Sequence, residues 1–131
     1  MQRLREEFPD AWLHTHLSEN LDEVAWVKAL FPENSSYLDV YHQYGLTGEK
    51  SVFAHCLHLE EQEWDCLCQT GSAIAFCPTS NLFLGSGLFN LQKAWAEAGE
   101  AGHRHRCRRR HHLQYAANAG RGLQDRPVAA L

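Results

Sequence analysis

His16 and Glu19 stand three residues apart at the end of an apolar run, and His55 closes a second run, Val52-Phe53-Ala54-His55-Cys56. A neutral imidazole at a strand end is a good ligand for a catalytic zinc or iron ion. A carboxylate on the turn that follows can move a proton between a water and a leaving amine. The pattern therefore points to metal-dependent hydrolysis, with His16 and His55 as metal ligands and Glu19 as acid and base. An H-x-x-E spacing alone is weak, because a core histidine beside a helix-capping acid has the same spacing. His14 shares a strand face with His16 but lies about 7 Å further back along the strand. His58 falls past the second strand end and reads as a neighbour of the site or as surface.

These residues need elements to hold them. Ala11 to Leu17 reads as a short buried strand. Asn20 is a suitable N-cap, Asp22 and Glu23 suit a first helical turn, and the apolar residues of 21–31 fall near a 3.6 period. Tyr37 to Tyr44 reads as a short helix closed by Gly45. Ser51 to Cys56 is a continuous apolar run of the kind buried in parallel sheets. Glu60 to Gln69 is a further helix with Gly71 past its end. Ala73 to Cys77 is a third strand stopped by Pro78, Thr79 to Gly87 a loop, and Leu88 to Ala98 a last helix. Alternating strands and helices with short loops predict an α/β fold of parallel βα units. Three units are too few to close a barrel.

With 131 residues the chain is long enough for one modest core. No apolar run approaches a membrane span, and Met1 to Glu7 has no hydrophobic leader, so a cytoplasmic protein without a membrane partner is expected. Five cysteines scattered through strands and a helix fit reduced thiols better than a disulfide framework. Cys66 and Cys68 fall on different faces of one helix and read as packing residues. The net charge of -4 conceals a break: residues 1–100 sum to -10 and residues 101–131 to +6. The stretch Gly102 to His112 is rich in arginine and histidine. A small binding protein with a basic tail for nucleic acid or metal thus stays open from composition alone. No aromatic residue interleaves the run as single-strand binding requires, so a nucleic-acid partner is not expected.

Taken together, His16-x-x-Glu19-Asn20, Ala54-His55-Cys56 and Cys77-Pro78-Thr79-Ser80-Asn81 resemble the amidohydrolase superfamily. Within it, the resemblance is to the guanine deaminases, beside the triazine chlorohydrolases and adenosylhomocysteine deaminases. That match rests on Ser18-Glu19-Asn20, on Tyr37 to Gly48 and on Cys77 to Asn90. It covers about residues 3–98. The resemblance implies a TIM-like (β/α)8 barrel of which residues 1–98 are βα units five to seven. It implies a zinc cofactor, or iron in its place, held by His16 and His55, with Glu19 carrying the proton. Guanine and water would give xanthine and ammonia, and the intact family member would be a homo-oligomer. The alternative substrates within the superfamily are another aminopurine, adenosylhomocysteine or a triazine. The family's H-x-H pair on strand one, its substrate-binding arginine and its strand-eight aspartate have no counterpart here. An incomplete and inactive fragment is therefore expected.

Strand eight of such a barrel is due near residue 101, where the Arg/His-rich stretch begins. One permitted set of codons for Gly102 to Ala116, read one nucleotide later, spells GIGTDVGAGTTFNML. That string resembles the missing strand and its aspartate. Residues 99–131 are accordingly expected to be an out-of-frame, disordered tail, with the shift close to Ala98 to Gly102.

Overall fold

A computed structural model describes residues 1–99 and 113–115. The elements run α1 (Gln2–Glu7), β1 (Leu13–Leu17), α2 (Leu21–Leu30), α3 (Tyr37–Gln43), β2 (Ser51–His55), α4 (Glu61–Thr70), β3 (Ala73–Phe76), α5 (Pro78–Leu84), α6 (Leu91–Gly99) and β4 (Leu113–Tyr115). The strands form one parallel sheet in the order β1-β2-β3-β4. The expected α/β architecture of parallel units is thus observed.

Register decides what each face carries. His16 lies opposite Ala54, and Ala54 opposite Ala75. Residues in register point the same way, so His14, His16, Val52, Ala54, Ala73 and Ala75 share one face. Val52, Ala54, Ala73 and Ala75 form a small buried cluster there. The other face carries the main core, in which Leu17, Phe53 and Ile74 meet Leu38 of α3, Trp64 and Leu67 of α4, and Phe89. Trp64 and Phe89 pack as tilted rings, and Lys93 lies over the Trp64 ring while pairing with Glu61.

Local chemistry explains the helix ends. The Asn20 side chain accepts from the Glu23 N–H at 2.8 Å and starts α2. Ser36 does the same for α3 through the Asp39 N–H. Gly71 and Gly85 close α4 and α5 in the left-handed conformation that glycine adopts freely.

The structure differs from the sequence expectations in four places. β1 is buried only on its helix-facing side, since His14, His16 and Trp12 are exposed. In α2 only Val27 is buried, while Leu21, Trp26 and Leu30 stay exposed, so its apolar period has no matching partner among the described residues. The stretch expected as a loop after β3 contains α5, begun by Pro78 at the first helical position. Leu82, Phe83 and Leu84 of α5 are exposed, so burial supplied no periodic signal for it. Within the expected unstructured tail, Leu113–Tyr115 pairs with β3. The rest of that segment lies outside the described residues.

Candidate active site

His16, Glu19 and His55 gather where β1 and β2 end and the chain after β3 begins. His16 is the penultimate residue of β1, and its carbonyl accepts from the Tyr41 hydroxyl at 3.2 Å. Tyr41 also bonds the Thr15 hydroxyl and stacks on Tyr37, so α3 clamps the strand end from the core side. The half-buried Tyr37 donates its hydroxyl to Glu23, and desolvation first, then its interactions with Tyr41 and Glu23, push its pKa up.

Glu19 is fixed through its backbone. Its N–H donates to the second oxygen of the Glu23 carboxylate at 2.9 Å, while Glu23's own N–H is held by Asn20. The first turn of α2 therefore orients the residue that precedes it. The half-buried Glu19 carboxylate receives the Ser86 hydroxyl at 3.5 Å.

His55 reaches the site by a departure from regular strand geometry. It stands opposite Leu17 in the ladder, and Leu17 points into the main core. A regular pleat would send His55 the same way. Instead His55 and Cys56 have φ of 72° and 53°, a left-handed region that non-glycine residues seldom occupy. This turn brings the His55 ring against His16, with centroids 4.8 Å apart and planes at 86°. The His55 Nδ1 lies 3.6 Å from Glu19 Oε1 and 2.7 Å from Asn81 Oδ1. The adjacent Cys56 thiol is buried, and burial pushes its pKa well up, so it serves packing rather than nucleophilic chemistry.

One donor atom from each of His16, Glu19 and His55 lies within 4.8 Å of the others. Two imidazoles and a carboxylate are a donor set that zinc or iron accepts. The residues present therefore fit a metal, with His16 and His55 as its nitrogen donors. His14 is exposed and outside this group. His58 is half-buried and bonds the Ser86 carbonyl at 3.3 Å. Cys66 and Cys68 sit on α4, in and beside the core. Asn81 and Ser86 touch the site without having been assigned to it from sequence. Their sequence signal lies in the family resemblance, since Asn81 ends the Cys77-Pro78-Thr79-Ser80-Asn81 motif and Ser86 falls within Cys77 to Asn90.

Residues 1–100 match the model of the amidohydrolase family. The chain belongs to the amidohydrolase family. It is 69% identical over 101 residues to the guanine deaminase of Escherichia coli (strain K12), a match covering 77% of this chain and 23% of that protein. The solved structure of E. coli guanine deaminase superposes with a TM-score of 0.72 at 72% identity, over 73% of this chain and 22% of that one. A guanine deaminase from C. acetobutylicum with guanine bound in its active site gives 0.69 at 36% identity, over 72% and 23%. An adenosine deaminase from Xanthomonas campestris with bound zinc gives 0.63 at 29%, over 72% and 22%. The amidohydrolase chain thus spans about a quarter of the length of its E. coli relative.

Proposed function

We propose that residues 1–98 form βα units five to seven of a (β/α)8 barrel and carry part of a guanine deaminase centre. The observation that carries this reading is the convergence of His16, Glu19 and His55 at adjacent parallel strand ends, in a chain so similar to a guanine deaminase. The C-terminal ends of strands are where βα barrels place their chemistry. His16 and His55 hold a zinc ion, or iron in its place, which supplies Lewis-acid chemistry when bound. A Glu19 carboxylate oxygen takes a proton from the attacking water and delivers it to the departing amino nitrogen of guanine. Water adds at the amino-bearing carbon, the C–N bond breaks, and xanthine and ammonia leave. The Ser86 hydroxyl, donating to Glu19, holds that carboxylate toward the ring of His55. The reading places the enzyme in the cytoplasm, with the intact family member a homo-oligomer.

Catalytic zinc normally has at least three protein ligands, and this chain offers two imidazoles and one proton-carrying acid. The 131-residue chain by itself is therefore expected to release no xanthine from guanine. Grafting residues 1–98 in place of the matching segment of the E. coli enzyme is expected to restore turnover. In that graft, Glu19→Gln lowers kcat by roughly 10²–10⁴-fold, the usual worth of a positioned acid-base. A folded, zinc-loaded graft that forms no xanthine refutes the reading, as does full activity in E19Q.

Residues 99–131 are proposed to be read out of frame. The charge balance reverses at this point, and the family match stops at residue 100. Strand pairing at Leu113–Tyr115 is no obstacle, because ladder bonds come from the backbone and tolerate many sequences. The gene's nucleotide sequence decides: codons that fail to spell the strand-eight string in the next frame remove the idea.

A further inference from the structure

A neutral imidazole carries one N–H and one lone pair, and a metal ligand must present the lone pair. In His55 the surroundings of Nδ1 point to which nitrogen has the proton. Asn81 Oδ1 lies 2.7 Å from Nδ1, and an amide oxygen only accepts. Glu19 Oε1, a second acceptor, faces the same nitrogen at 3.6 Å. Exchanging the amide oxygen and nitrogen would give the buried Asn81 Nδ2, which has no partner among the described residues, a bond to Nδ1. It would also leave the Glu19 carboxylate facing a bare ring nitrogen, so the Glu19 contact favours the oxygen toward Nδ1. Nδ1–H therefore donates to Asn81, and Nε2 keeps the lone pair.

The bond is sheltered, since Asn81 is 1% and His55 4% exposed. Asn81 is also held from both sides. Its N–H donates to the Cys77 carbonyl at 3.0 Å, and its carbonyl accepts from the Ser86 N–H at 2.9 Å. Pro78 starts α5 immediately after β3, so the helix carries Asn81 rigidly to the strand ends. The third unit of the sheet thus contributes an orienting acceptor where the first two contribute donors.

We infer that Asn81 is a positioning residue that fixes the tautomer and ring orientation of His55, leaving Nε2 as the nitrogen offered to the metal. The metal half of this statement rests on the functional reading above; the tautomer half does not. Outer partners of this kind typically change metal affinity by about 10–100-fold when removed.

The test is ¹⁵N NMR of the full chain labelled at histidine, free of metal, recorded by magic-angle spinning so that self-association does not interfere. The His55 signals are assigned by their loss in His55→Gln. The wild-type chain is expected to show His55 protonated at Nδ1 and bare at Nε2. Asn81→Ala is expected to mix the two tautomers and weaken zinc binding, titrated as Zn²⁺ alone, by about 10–100-fold. Asn81→Asp keeps an acceptor and is expected to keep the Nδ1–H tautomer. Should Asn81→Ala fail to fold, the wild-type tautomer and Asn81→Asp still decide. A proton on Nε2 in the wild type overturns the inference, as does an Asn81→Ala chain with unchanged tautomer and unchanged zinc affinity. If zinc does not bind the wild type while the tautomer follows Asn81, positioning stands and the metal reading falls.

Discussion

Ser18, between His16 and Glu19, has a φ of 49° and is fully buried, and its hydroxyl has no hydrogen-bond partner among the described residues. Its carbonyl, in contrast, accepts from the N–H groups of Leu57 and His58, tying the two strand ends together. The backbone conformation is thus useful while the side chain contributes little. A non-glycine residue held left-handed costs about 1–2 kcal/mol, and glycine's extra chain entropy returns about 0.5–1 kcal/mol of that. Ser18→Gly is expected to be neutral or to stabilise the fold by up to about 1 kcal/mol, measured by urea unfolding. A loss above that size would mean that the hydroxyl has a partner. At this scale the sequence showed which candidate residues the structure brings together, because His16, Glu19 and His55 could be read from type and spacing. It could not show how His55 arrives, since a left-handed turn at a histidine leaves no mark in composition. Nor could it show the Asn81 contact, which joins residues 26 positions apart.

Among the elements, α3 and α4 share one carboxylate. Glu63 is 3% exposed, and its two oxygens accept separately from the Glu60 N–H at 2.8 Å and the Leu38 N–H at 2.9 Å. These are end groups of two different helices that have no partner within their own helix. The side chain therefore sets the start of α4 and docks α3 onto it, which in turn places Tyr41 against the carbonyl of His16. Glu63→Ala leaves two buried donors without partners, each worth about 1–3 kcal/mol, so a loss of about 3 kcal/mol is expected. Glu63→Gln has one acceptor oxygen for two donors and is expected to fall between Ala and wild type. Equal unfolding midpoints for all three chains would contradict this account. Most elements were legible because caps and glycine stops agree with one another, as at Asn20 and Gly71. The unforeseen element, α5, has Leu82, Phe83 and Leu84 facing outward, and a pattern without burial carries no period.

The whole molecule leaves large apolar groups uncovered. Phe83 is 88% exposed and Leu88 79%, with Leu82, Leu84, Leu91 and Trp95 close by in sequence and Trp12, Trp26 and Leu30 elsewhere. On the face of the sheet bearing His14 and His16 those two side chains are exposed, while Val52, Ala54, Ala73 and Ala75 beside them are buried. β1 has a strand on one side only among the described residues, and its other side has no ladder partner there. Contiguous apolar patches beyond a few hundred Å² and open strand edges both drive association in water. The charge of residues 1–100 opposes it, but salt screens that repulsion over about 8–10 Å. The chain expressed alone is therefore expected to self-associate at micromolar concentration, more strongly as salt rises, and to bind a hydrophobic dye. Phe83→Ser with Leu88→Ser is expected to reduce both effects without moving the helix content. Sedimentation as a monomer at every salt concentration, together with one cooperative thermal transition, would show that the exposed surface is closed in solution.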